Sequence, residues 1–388
     1  MNIKMDDLFD KRSVVGAKLE ALLAEKGYTK SRLCRECGIS RPTLDKLLAG
    51  NITSKANFEK HMQKIFTALS MTPDALLGNV KNAYSRVREI RNTLNINQDV
   101  ISRITSISPE RLSEIEAGAD VTIAELRDIA LCLHTGTRYI ENTSVFYPQM
   151  SVMEDVFRFS ANGNAADLSG FWGHIGILPK SGKAYYWYPI TLHYAKYVSK
   201  NMNNSRLVVP CMNNKLLFLN TDNIDGIVLL DEACDPPDFA NWDPSVGEGE
   251  IPLVVYEALD DFYFAMESNG MSDEDVLSPM FMNYMKDIAK QYKWTEDDIF
   301  DLTSKIMIKY YDGNELINYT DFSCEDSLVG EIERVCVFGD DIHEKYVAFS
   351  DNNGADIMIN TDNISLIELP LVKVEEAILQ GYQKMMSE

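Results

Sequence analysis

Tyr28-Thr29-Lys30-Ser31-Arg32-Leu33-Cys34-Arg35-Glu36-Cys37-Gly38-Ile39-Ser40-Arg41-Pro42-Thr43-Leu44-Asp45-Lys46-Leu47-Leu48-Ala49-Gly50 contains two short helices and the corner between them. Thr29 is placed to cap the first helix, whose apolar side chains Leu33, Cys34 and Cys37 recur at helical spacing. Gly38 ends that helix with the backbone freedom a sharp corner demands, and Ile39 follows as an apolar pin. Ser40 caps the second helix, which tolerates Pro42 in its first turn and closes at Gly50. Moving outward, residues 14–23 have helical apolar spacing and stop at Gly27. A fourth helix is predicted from about Ala56 to Leu69, and Thr72-Pro73 opens a fifth. Five short helices with a tight glycine turn between the second and third make a helix-turn-helix.

These residues resemble the phage-repressor and Cro type of helix-turn-helix, the XRE family. The likeness covers about 65 residues. It rests on small side chains at Cys34 and Cys37, the turn glycine Gly38, the branched Ile39 and the closing Gly50. It makes the Cys34/Cys37 pair a packing feature. A zinc site would need about four ligands, and no second pair follows. The resemblance implies a helix lying in the major groove of double-stranded DNA. Ser40, Arg41, Thr43, Asp45 and Lys46 then face the base edges, with Arg41 suited to guanine. Lys30 would touch phosphate.

The pattern returns at 96–118, where Ser106 stands 68 positions after Gly38. Gln98 occupies the family's phosphate-contacting position, and Arg111 and Ser113 fall in the second reading helix. Asn97 is placed to cap the first. This copy departs from the family, with serine for the turn glycine and Glu110, Glu114 and Glu116 in the reading helix. Carboxylates facing phosphate lower affinity. The copy either adds DNA contacts or packs against protein.

The net charge of -22 disfavours a general nucleic-acid binder until it is divided. Residues 1–147 hold 21 basic and 18 acidic side chains, and residues 148–388 hold 16 and 41. Residues 11–81 alone carry 13 basic and 6 acidic, a balance of +7. The expected organisation is a helix-turn-helix domain at 1–80, a divergent second at 81–147, a linker at 148–170 and an acidic α+β domain at 171–388. No stretch has the length of an apolar membrane span. Seven cysteines spread over the chain fit reduced thiols and a cytoplasmic protein.

Within 171–388 two β repeats are expected, at about 171–260 and 304–388, around a helical insertion at about 272–303. Hairpins are read at 174–190 and 207–219, and 220–224 and 360–364 are identical, Asn-Thr-Asp-Asn-Ile. A small barrel-like module in each repeat accounts for the pattern. Asp222 and Asp362 fall in polar breaks between strands, where Asn and Asp satisfy their own backbone. Residues 231–250 hold seven acids and no base, without the spacing of a calcium loop. No catalytic, cofactor or metal motif is found, so a non-enzyme without cofactors is expected.

The whole reads as a DNA-binding transcriptional regulator, by default a repressor. Its acidic half would dimerise, sense a ligand or bind a partner. The rival reading is a phage- or mobile-element-encoded inhibitor whose acidic half binds a basic, nucleic-acid-handling defence protein.

Overall fold

The computed structural model describes residues 8–9, 12, 15–16, 19, 23, 29–49, 51–52, 54–69, 87–88, 90–92, 96–117, 119, 121–141, 143–146, 171–180, 182–267, 276–338 and 344–387. The chain forms two compact units, 1–85 with 114–120 and 86–113 with 121–388.

The first unit is helical. Its elements are α1 (Lys30–Cys37), α2 (Arg41–Leu48) and α3 (Lys55–Leu69). Thr29 Oγ1 accepts the Arg32 N–H and caps α1, as its position predicts. Gly38 has φ 60° and ψ 43°, and an added Cβ would meet nothing within 4 Å. Its glycine is therefore set by the left-handed backbone and not by lack of space. Leu33, Ile39, Leu44 and Leu47 are buried against Phe58, Met62 and Ile65 of α3 and Leu8, Leu19 and Leu23 upstream. Cys37 is part of this core and Cys34 packs on it, so the cysteine pair is packing. The predicted helix at 72–77, the connection 78–82 and the linker 148–170 lie outside the described residues.

The second unit mixes helices with antiparallel sheets. It opens with α4 (Gln98–Thr105), α5 (Pro109–Glu116, whose last three residues belong to the first unit), α6 (Ile123–Cys132) and the single turn α7 (Thr137–Ile140). Next come β1 (Phe171–Pro179), β2 (Tyr186–Thr191), α8 (Leu192–Asn201), β3 (Arg206–Pro210), β4 (Lys215–Asn220) and β5 (Ile224–Asp231). The helices α9 (Leu253–Glu257), α10 (Leu259–Glu267), α11 (Pro279–Tyr292) and α12 (Glu296–Ser304) lead to β6 (Lys305–Tyr310) and β7 (Glu315–Tyr319). The chain finishes with α13 (Ser327–Glu333), β8 (Tyr346–Ser350), β9 (Asp356–Asn360), β10 (Ile364–Pro370) and α14 (Leu371–Ser387). Three sheets form, in strand orders β2-β1-β5, β3-β4-β10-β6-β7 and β8-β9.

Among the described residues no barrel closes, which corrects the barrel-like expectation. β8 and β9 pair only with each other, so open edges remain. The expected repeats are not self-contained either, because β4 of one hydrogen-bonds to β10 of the other. The identical turns meet at that seam. Asn220 Oδ1 accepts from Asp222 N and Asn360 Oδ1 from Asp362 N, as turn residues do. Across the seam, Asn220 Nδ2 donates to Thr361 O and Asn223 Nδ2 to Asp362 O.

The acidic loop 231–250 is held by its apolar residues. The Trp242 ring stands edge-on to His174 and Trp187, at 4.5 and 4.9 Å between centroids. Trp187 Nε1 donates to Ala240 O, and His174 Nε2 lies 2.7 Å from Gly247 O.

Residues 86–113 and 121–146 share one compact unit with the strands instead of standing apart at 81–147. Buried polar contacts make the join. Arg127 reaches the Asp261 carboxylate at 2.6 Å and the Val276 carbonyl. Thr137 donates through both N and Oγ1 to Glu257 Oε2. Glu375 Oε1 accepts from Ser144 Oγ at 2.5 Å and Val145 N at 2.7 Å, and Arg138 pairs with the same carboxylate. Breaking one partner of such a buried set strands the other and is strongly destabilising.

Candidate nucleic-acid interface

α2 is amphipathic about a sharp boundary. Leu44, Leu47 and Leu48 face the core, while Arg41, Asp45 and Lys46 are exposed and Thr43 is half-buried. Ser40 Oγ accepts from Thr43 N, so α2 starts at a fixed point with Pro42 in its first turn. The Ser40 and Thr43 hydroxyls lie 2.8 Å apart. Cap and turn glycine thus set where α2 begins and which way its first turn points.

Arg41 is the best-organised of the exposed cations on α2. Its Nε lies 3.3 Å from Asp45 Oδ1, and its Nη1 reaches Ser31 Oγ of α1 at 3.4 Å. Both partners of the ion pair are half-exposed. An exposed i,i+4 pair of this kind contributes only about 0.3–0.5 kcal/mol. It therefore orients the guanidinium without holding it back from a stronger partner. A free guanidinium fork can take guanine O6 and N7 together, and the Asp45 carboxylate can accept from cytosine N4. Lys30 opens α1 half-buried, and Arg35 and Lys46 are exposed. Arg32 pairs with Glu36 at 2.9 Å. On α3, Lys60 and Lys64 are exposed, and burial together with these lysines pushes the His61 pKa down. The unit's positive charge near neutral pH is therefore carried by lysine and arginine.

The second module is arranged differently. Its α4 and α5 flank Ser106, which takes φ 63°, the left-handed role that Gly38 fills in the first. Asn97 sits at the cap position with extended backbone but makes no side-chain cap bond, contrary to its predicted role. Arg111 is bonded twice to Glu125, by Nε at 2.6 Å and Nη2 at 2.8 Å. Ser113 Oγ donates to Pro109 O at 2.8 Å and to Gln98 Oε1 at 3.3 Å. The exposed positions of α5 include Glu110 and Glu114, while Glu116 is buried. The structure therefore gathers Lys30, Ser40, Arg41, Thr43, Asp45 and Lys46 on α1 and α2. It engages Gln98, Arg111 and Ser113 in contacts of their own within the second unit.

Sequence reading missed Ser31 as a second anchor for Arg41 and Glu125 as the partner of Arg111. Ser31 lies ten residues before Arg41 and nothing in its spacing marks it. Glu125 did carry a signal, since Thr122 and Glu125 form a capping box. That signal marks a helix start and says nothing of a partner.

Among the described residues no three His, Cys, Asp or Glu side chains converge on a metal position. No described helix is long and apolar enough to cross a membrane. Residues 18–82 match the Cro/C1-type helix-turn-helix DNA-binding domain. No curated protein and no solved structure matches the chain. The chain therefore carries, at residues 18–82, a Cro/C1-type helix-turn-helix DNA-binding domain of the XRE type that its caps, turn glycine and core predict.

Proposed function

We propose that the protein is a sequence-specific transcriptional repressor that lays α2 in the major groove and blocks a promoter by occupying it. The row of exposed Arg41, Asp45 and Lys46 with half-buried Thr43, on a capped, core-anchored helix of a DNA-binding domain, carries the reading. Arg41 reads a guanine, Lys46 and Lys30 hold phosphates, and Asp45 selects against bases that offer only acceptors. The second helix-turn-helix serves as protein scaffold. The arginine of its reading helix, Arg111, is committed to Glu125, and two exposed glutamates repel phosphate. The acidic second unit repels phosphate and brings two copies together. A salt series on the full chain tests the phosphate contacts. Lys46→Ala should reduce the slope of log affinity against log salt by about one. An unchanged slope removes Lys46 from the interface.

A further inference from the structure

β5 and β10 occupy corresponding places. Each follows an Asn-Thr-Asp-Asn turn and pairs antiparallel with the first strand of its stretch, β1 or β6. The register breaks at the same point, between Ile224 and Gly226 in β5 and between Ile364 and Leu366 in β10. Likewise β3 and β4 set Val208 opposite Phe218, and β8 and β9 set Ala348 opposite Met358, the same register 140 positions on.

One pairing lacks its counterpart. β10 has β4 on its second side, with Ile367 opposite Phe218 and Leu369 opposite Leu216. Every residue of β10 is buried. β5 is the end strand of its sheet, and only Leu230 in it is buried. Met358 in β9 is 75 % exposed, whereas Phe218, its counterpart in β4, is fully buried. The chain thus contains its own control. The same kind of strand is sealed where a β4-type neighbour is present and open where it is missing.

Edges left open in solution are normally blunted by proline, lysine or a bulge, because a bare edge recruits other chains. β2 carries Pro189 and β3 ends on Pro210. Past the register break at its start, β5 runs Ile227-Val228-Leu229-Leu230, and β9 runs Ile357-Met358-Ile359, with neither proline nor lysine. We infer that the β5 edge is covered by β9 of a second copy of this chain, and the β9 edge by the second copy's β5. The contact remakes between chains the pairing that β4 and β10 make within one. The internal template sets the register, Ile227 opposite Met358 and Leu229 opposite Asp356. A β5–β9 contact is by itself head-to-tail; when the same two copies exchange both strands about a two-fold axis, the pair is self-complementary and closes as a dimer. The inference rests on strand pairing alone, and its failure leaves the DNA reading untouched.

The test is the mass of the full chain by sedimentation, for the wild type, Met358→Lys and the double variant Ile227→Cys/Met358→Cys. Met358 is exposed, so Met358→Lys should retain the wild-type circular dichroism. We expect a wild-type dimer at micromolar concentration and at least a tenfold weaker dimer for Met358→Lys. Mild oxidation should convert the double variant, and neither single cysteine variant, to a covalent dimer. A monomeric wild type overturns the inference. So does a Met358→Lys variant that dimerises as the wild type does, or a double variant that does not cross-link. Should Met358→Lys unfold, the presence or absence of the cross-link decides by itself.

Discussion

Arg111 donates Nε and Nη2 to the two carboxylate oxygens of Glu125, at 2.6 and 2.8 Å, and this fork fixes it at the start of α6. The Arg111 hydrogen bond is the largest influence holding the Glu125 pKa down, and Thr122 adds to it. An arginine already engaged by a bidentate carboxylate is a poor reader of guanine. Arg111→Ala should lower stability by about 1 kcal/mol in urea melts, since the pair is part-buried. It should leave DNA affinity within about twofold of wild type. Glu125 has a depressed pKa, so its stabilisation is present above the unfolded value and fades as pH falls through the folded one. The difference between Arg111→Ala and wild type should therefore shrink below about pH 4.

The two turns offer a matched pair of substitutions. Ser106 is held in a left-handed backbone that Gly38 adopts freely, at φ 63° and 60°. Ser106→Gly should raise stability by roughly 0.5–1 kcal/mol. Gly38→Ala should lower it by about 1 kcal/mol, from backbone strain alone, since the new methyl meets nothing. Opposite signs in thermal melts are the expected result. Equal signs would mean that the two corners are not equivalent.

Asp128 is buried in α6, where its Oδ1 accepts the Ser278 hydroxyl at 2.7 Å. Burial pushes its pKa up to about 6, with nearby Glu125 adding to the rise and Ser278 opposing it. The folded state therefore binds this proton more tightly than the unfolded chain. Its ionisation destabilises the fold as pH rises from about 4 to 6, and the loss is complete above that window. Asp128→Asn keeps the acceptor for Ser278 and removes the charge. It should be more stable than wild type by roughly 1–3 kcal/mol at pH 7.5, with the gap closing toward pH 4. Denaturant midpoints at the two pH values measure this directly.

Local chemistry made the first unit legible. Thr29, Gly38 and Ser40 act on backbone within four residues, and Leu33, Leu44 and Leu47 repeat at helical spacing, so short windows of sequence contain the corner. Turn residues marked the strand pairs β1–β2 and β3–β4 for the same reason. Long-range choices were not legible. β4 has apolar neighbours available in both repeats, and nothing in its own residues says that β10 is the one taken. Arg127, Thr137 and Arg138 read as ordinary helix residues. Their partners Asp261, Glu257 and Glu375 lie 120 or more positions away, and only the folded chain shows that the second module is joined to helices α9, α10 and α14.

The central claim is that α2 reads DNA, and selection of a site from a randomised duplex pool by the full chain, followed by titration of variants on it, tests that claim. Arg41→Ala should bind the selected site at least tenfold more weakly and lose preference at one base pair, as expected for about 1–3 kcal/mol of lost readout. Arg111→Ala should bind as the wild type does. If Arg41→Ala retains full affinity and the same base preferences, the assignment of α2 as the reading helix is wrong.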